Sequence, residues 1–171
     1  MGLRIYLETT VFNYYFDAPR VGHEDVVRLF EAIGAGVYEA YTSPTVVREL
    51  RNAPQPRRDN LLGLLDEYGV MLLTAASPRA KALAARYVAE GILTDRHRVD
   101  GLHIAEASVA EMDCIVSYNF QHINRRKTKT LTARINRREG YGGVVICTAE
   151  EVLRYGDRLR SGDALAEELP L

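Results

Sequence analysis

Long apolar runs are missing from this chain: none approaches the ~18 residues that a membrane-crossing helix needs. Cysteine is scarce, with only Cys114 and Cys147. Both sit inside apolar, strand-like runs, so they are expected as small buried hydrophobes rather than as a disulfide or a metal pair. A reducing, cytoplasmic setting is the corresponding expectation. Charge of one sign is lacking as well, since the net charge is -1 and the pI is near 6.4. The whole molecule therefore casts no field that draws in nucleic acid, and any basic surface must be local. The opening MGLRIYLETT has neither an apolar segment nor a small-residue cleavage site, so it is not expected to act as a secretory leader. There is no GxGxxG turn and no glycine-rich phosphate loop, which leaves a nucleotide cofactor without a cradle. Internal repeats and low-complexity tracts are absent too.

What is present is the material of one domain. A length of 171 residues with 47% hydrophobic side chains is ample for a single packed core. That domain is expected over residues 1–155, with a tail over 156–171 that docks on a neighbour or stays mobile. Short apolar runs at Arg4–Leu7, Tyr38–Thr42, Val70–Leu73, Cys114–Val116 and Val144–Cys147 predict five strands. Between them, capped periodic segments predict helices. Ser43-Pro44 and Ser77-Pro78 each pair an N-cap with proline at the first helical position, and Thr148-x-x-Glu151 has the form of a capping box. Thr10 or Asn13 is expected to open the helix holding VFNYYF, and Ile104, Ala105, Ser108, Val109 and Met112 recur at helical spacing. Strands alternating with helices predict an α/β fold on a mainly parallel sheet, with helices on both faces.

The carboxylates fall at informative places in that pattern. Glu8 follows the first strand, Glu49 lies on the helix after the second, and Asp100 opens the helix before the fourth. Asn119 follows the fourth strand directly. Right-handed crossovers bring the carboxyl ends of all strands to one edge, where ligands bind in open parallel sheets. Clustered carboxylates repel unless a cation neutralises them, and an all-oxygen set suits Mg²⁺ or Mn²⁺. Such a cation activates water for attack on a phosphodiester, so hydrolysis of nucleic acid is the favoured reaction. The bland alternatives are an exposed pairing of Glu49 with Arg48 or Arg51 and a helix-terminal role for Asp100.

Four stretches, IYLETTVFNYYFD, YTSPTVVREL, DGLHIAEAS and VSYNFQHI, resemble in order and approximate spacing those of the PIN-domain nucleases. They are similar to those of the toxins of VapBC toxin–antitoxin pairs, and the likeness spans Arg4 to about Tyr155. The resemblance implies a PIN-like three-layer α/β domain acting as a metal-dependent endoribonuclease. It further implies an antitoxin protein as partner and a homodimer. Mapped residue by residue, it makes Glu8, Glu49 and Asp100 the metal-holding acids, places the family's hydroxyl residue at Thr10, and puts its fourth acidic position at Asn119. Glu8 stands where the family has an aspartate, and Asn119 where it has an acid. The alternative expectation is accordingly a PIN-fold module of weak or absent activity that binds RNA or a protein.

Residues 125–138 carry seven Lys/Arg among fourteen and no acid. Arg125, Arg126, Lys127 and Lys129 are candidates to grip RNA phosphates, or else a solvated helix face. His122 is a candidate phosphate contact or proton donor, or else structural. His103, three residues from Asp100 on the same face, reads as a polar neighbour. Asp95 is either an extra acid at the entrance or a surface residue beside its arginines. Phe12, Tyr14, Tyr15 and Phe16 are expected in the core of their helix, with an interface as the alternative.

Overall fold

The computed structural model describes residues 2–159, and residues 157–159 by their backbone alone. The strand Leu3–Leu7 (β1) buries Leu3, Ile5, Tyr6 and Leu7, on both faces at once, as a central parallel strand must. It pairs with Tyr38–Thr42 (β2) on one side and with Cys114–Val116 (β4) on the other. Met71–Leu72 (β3) extends the sheet beyond β2, and Val145–Cys147 (β5) extends it beyond β4. All pairings are parallel, and the order is β3-β2-β1-β4-β5. The α/β class expected from the alternation is what the chain forms.

Helices fill the connections: Thr9–Tyr15 (α1), His23–Gly34 (α2), Pro44–Arg51 (α3), Arg57–Tyr68 (α4), Pro78–Ala89 (α5), Arg98–Val109 (α6), Arg126–Arg138 (α7) and Ala149–Leu159 (α8). A 3₁₀ turn, Asp95–His97, leads into α6. Chain order moves outward from β1 to β2 to β3 and then returns to β4 and β5, so right-handed crossovers put α1 to α4 on one face and α5 to α7 on the other. The packing agrees: α2 touches α1, α4 and α8, whereas α5 touches α6 and α7. Among the described residues, no helix is long and apolar enough to cross a membrane.

Local signals placed most boundaries well. Ser43 Oγ accepts from the Val46 amide and Ser77 Oγ from the Ala80 amide, as the Ser-Pro pairs require. The capping box closes too, with the Thr148 amide on Glu151 Oε2 at 2.7 Å and the Glu151 amide on Thr148 Oγ1 at 3.3 Å. Cys114 and Cys147 are buried and unbridged on neighbouring strands.

Several boundaries differ from expectation, β1 beginning one residue earlier, at Leu3, and β5 one later, at Val145. Helix α1 opens at Thr9 rather than at Thr10 or Asn13, because the Glu8 carboxylate itself caps it by accepting from the Thr10 amide. Met112 lies beyond α6, which stops at Val109 before Glu111 takes a left-handed φ of 56°. It is still buried, since the chain folds back to begin β4. The third strand shrinks to two exposed residues at the sheet edge, where one neighbour is lacking. Helix α8 runs through residue 156 to Leu159, past the expected tail boundary, and the rest of the tail, 160–171, lies outside the described residues.

The VFNYYF segment divides between core and surface. Val11 and Phe12 are fully buried, and Tyr15 donates to or accepts from Tyr68 Oη at 2.6 Å. Tyr14 stacks on Tyr118 at 4.1 Å, and Phe16 is exposed. Gly22, with φ of 98°, packs on that stack, where an added Cβ would sit 2.9 Å from the Tyr118 ring.

Candidate active site at the β1–β4 edge

Chain direction across the sheet reverses between β1 and β4. The connections leaving these two strands diverge to opposite faces and open a crevice at their carboxyl ends. Glu8 is the first residue past β1, and Ser117 the first past β4. Both strands continue their ladder one step further, through Glu8 N to Val116 O at 3.1 Å and Ser117 N to Cys147 O at 3.0 Å. Those bonds fix the two side chains against each other.

Glu8 is 3% exposed, and its Oε2 takes three donors. They are the Thr10 hydroxyl at 2.5 Å, the Ser117 hydroxyl at 2.8 Å and the Thr10 amide at 3.3 Å. Burial pushes the Glu8 pKa above the ordinary carboxylate value, outweighing the His103 charge and these donors. Thr10 Oγ1 also accepts from the Tyr118 amide at 2.8 Å, so this hydroxyl ties Glu8 to the loop after β4.

Asp100 stands in the first turn of α6. Its Oδ1 accepts from the Asn119 side-chain amide at 3.1 Å, and its Oδ2 faces His97 Nδ1 at 3.4 Å. Burial raises its pKa, with Glu49 adding to the rise and His122, His103 and His97 opposing it. Asn119 in turn donates its backbone amide to Ser117 Oγ at 3.1 Å. A continuous hydrogen-bonded chain therefore runs from Glu8 through Ser117 and Asn119 to Asp100.

Glu49 projects from α3 and accepts from Thr9 Oγ1 at 3.0 Å. Its other hydrogen bond is with His103 Nε2 at 2.6 Å, where the alternative reading had an exposed pairing with Arg48 or Arg51. Burial alone would raise the Glu49 pKa, but His103, Thr9 and Arg48 together hold it below the ordinary value. His103 is 1% exposed, and its second nitrogen, Nδ1, lies 2.9 Å from Tyr6 Oη. The Tyr6 hydroxyl donates to Glu106 Oε2 at 3.2 Å, which leaves its oxygen to accept from the imidazole. Burial opposes protonation of His103, yet Glu49, Glu8 and Glu106 outweigh it and raise its pKa. The His103 ring thus sits among the acids, with Nε2 on Glu49 Oε1 and Nδ1 on Tyr6 Oη. Thr45 completes the buried network by donating to Glu106 Oε1 at 3.2 Å.

The other candidates divide. Asp95 pairs with Arg98 at 2.5 Å on the exposed surface, 78% exposed itself, and so behaves as the surface residue. Arg125 donates to Ile92 O at 3.1 Å and Thr128 Oγ1 at 3.0 Å, and Lys127 to Gly91 O at 3.3 Å. These two hold the end of the α5 connection, while Arg126 is exposed and Lys129 half-buried on the first turn of α7. His122 stacks on His97, with ring centroids 3.6 Å apart and planes at 23°. Ligand atoms of His97, Asp100 and His122 lie within 4.8 Å of one another, the one such group among the described residues. Two surface depressions of about 240 and 190 Å³ lie elsewhere, around Arg79 and Tyr141 and around Leu73 and Val109.

Sequence reasoning assigned no part in the site to Thr9, Ser117 or His97, and it gave His103 only a neighbour's place. The spacing His97-x-x-Asp100 was a usable signal, because residues three apart share a helical face. Nothing local marks Ser117. Comparison of the chain with protein-family models, with curated proteins and with solved structures found no match.

Proposed function

We propose that the chain is a metal-dependent endoribonuclease of PIN type, with Glu8, Glu49 and Asp100 as the acids that hold Mg²⁺ or Mn²⁺. One observation carries this reading. Three acids from three separate elements act on one another's surroundings: Glu8 and Glu49 both bear on His103, Glu49 bears on Asp100, and the side chains paired with Glu49 and Asp100 are imidazoles rather than lysine or arginine. As placed, the three acids do not form a ligand-distance group; Asp100 forms one with His97 and His122 instead. Burial without full neutralisation raises the pKa of Glu8 and Asp100, and a divalent cation relieves that cost. Held by Glu8, Glu49 and Asp100, the ion would supply Lewis-acid polarisation of a phosphate and a water of lowered pKa. The chain's own residues do the positioning: Thr10 and Ser117 aim Glu8, Asn119 aims Asp100, and His103 restrains Glu49. Arg126 and Lys129, on the helix that follows the Asn119 loop, supply phosphate contacts.

The motif resemblance supports the remaining parts, a toxin paired with an antitoxin protein, and a homodimer. The unbridged, buried thiols of Cys114 and Cys147 support a cytoplasmic setting.

A specific observation favours a second reading, a non-catalytic RNA- or protein-binding module. Glu8 Oε2 already has three internal donors and caps α1, so this side chain has a structural task that needs no metal. The two readings separate on one experiment: incubation of purified protein with single-stranded and hairpin RNA in Mg²⁺ or Mn²⁺, with Glu49→Gln and Asp100→Asn as controls. Cleavage that both variants lose supports the nuclease. RNA retention without cleavage by the wild type leaves the binding module.

A further inference from the structure

We propose that His97, Asp100 and His122 form a binding site for a divalent transition ion of the Zn²⁺, Co²⁺ or Ni²⁺ class. This deepens the proposed function only through Asp100, which both donor sets share, and it stands on its own geometry.

Two stretches of chain converge here. His97 ends the 3₁₀ turn, Asp100 follows three residues later in α6, and His122 comes from the loop between β4 and α7. Their ligand atoms are mutually within 4.8 Å. The 3.4 Å between His97 Nδ1 and Asp100 Oδ2 is long for a hydrogen bond. It matches the separation of about 3.4 Å between two ligands each ~2.1 Å from a tetrahedral ion. His122 stacks face to face on His97 with ring centroids 3.6 Å apart, and one nitrogen of each ring lies within 4.8 Å of the same Asp100 carboxylate oxygen.

The surroundings orient these groups as second-sphere partners of a metal site do. Asn119 Nδ2 occupies Asp100 Oδ1 and leaves Oδ2 facing His97. The same amide's Oδ1 accepts from the His122 backbone N–H at 3.1 Å, and Thr128 Oγ1 donates to His122 O at 2.6 Å. Both sides of the His122 backbone are thereby held. All three ligand side chains are half-buried, which leaves an ion a way in. Two imidazoles with one carboxylate prefer Zn²⁺, Co²⁺ or Ni²⁺ to Mg²⁺ or Ca²⁺, and they leave positions open for water or a phosphate oxygen.

The test is titration of Co²⁺ into the full chain without RNA, read by visible d–d absorption and by calorimetry. Wild type, His97→Ala, His122→Gln, Asn119→Ala and Glu49→Gln are compared, each with its circular dichroism and melting curve. The expected result is one Co²⁺ per chain, with affinity lowered at least ~10-fold by either histidine change and by Asn119→Ala, and retained in Glu49→Gln. Wild type without Co²⁺ absorption overturns the site. Folded histidine variants that bind Co²⁺ as the wild type does also overturn it, as does binding abolished by Glu49→Gln alone. Co²⁺ bound through the histidines by a protein that cleaves no RNA defeats the nuclease reading and leaves this site standing. Mg²⁺-dependent cleavage with no histidine-dependent Co²⁺ binding does the reverse.

Discussion

Asn119 donates its side-chain amide to Asp100 Oδ1 at 3.1 Å. Asn119 is thus a donor to Asp100 rather than one more charge beside it. Asn119→Asp replaces that donor with a carboxylate facing a carboxylate. The expected cost is about 1–3 kcal/mol at neutral pH, recovered in part when Mn²⁺ is added. Urea unfolding with and without the ion measures it, and a variant as stable as the wild type in both conditions refutes the arrangement.

His103 and Glu49 make stability depend on pH in opposite senses. The raised pKa of His103 contributes stability that is complete below its unfolded value, about 6.5, and is lost as pH rises through the folded value. The lowered pKa of Glu49 contributes stability present above about 4.5, lost as pH falls through its folded value. The pair is therefore strongest between about pH 4.5 and 6.5. His103→Gln should flatten the decline in melting temperature above that window, and an NMR titration of His103 should place its pKa above the ordinary imidazole range.

Glu8 and Asp100 run the other way. Their raised pKa values mean that ionisation above about pH 4.5 works against the fold. Millimolar Mn²⁺ should raise the melting temperature at pH 7.5, and an ion at 100 times its dissociation constant stabilises by about 2.7 kcal/mol. That gain should fade as pH drops and the two acids protonate. A gain independent of pH would remove these carboxylates from the binding set.

Thr10 is placed to hold Glu8 and the loop after β4 together, since its hydroxyl donates to one and accepts from the other. Thr10→Val keeps the shape and leaves a buried carboxylate and the Tyr118 amide short of a partner. A loss of about 1–3 kcal/mol in chemical denaturation is expected, with Thr10→Ser recovering most of it.

The basic residues at the start of α7 should separate into two groups. Arg126→Ala and Lys129→Ala should each weaken RNA binding and lower the slope of log affinity against log salt by about 1, at little cost in stability. Arg125→Ala should instead lower the melting temperature, because its guanidinium holds Ile92 O and Thr128. Filter binding across a salt series, paired with melting curves, distinguishes them.

What the chain determined by itself is the part governed by neighbours a few residues apart. Apolar periodicity set the order of strands and helices, and the Ser43-Pro44, Ser77-Pro78 and Thr148–Glu151 signals fixed where helices begin. That order, with right-handed crossovers, was enough to send Glu8, Asp100 and Asn119 toward one edge of the sheet. What they meet there was decided only by tertiary structure. Ser117 reaches Glu8 across 109 positions, and His103 reaches Glu49 across 54. His122 comes to His97 through the return of the β4–α7 loop. Such partners carry no local mark, because their juxtaposition depends on strand pairing between β1 and β4 and on helices packed over them. The same holds for charge: the pKa of His103 rises and that of Glu49 falls because burial and long-range neighbours, unlike sequence neighbours, set the field each group feels.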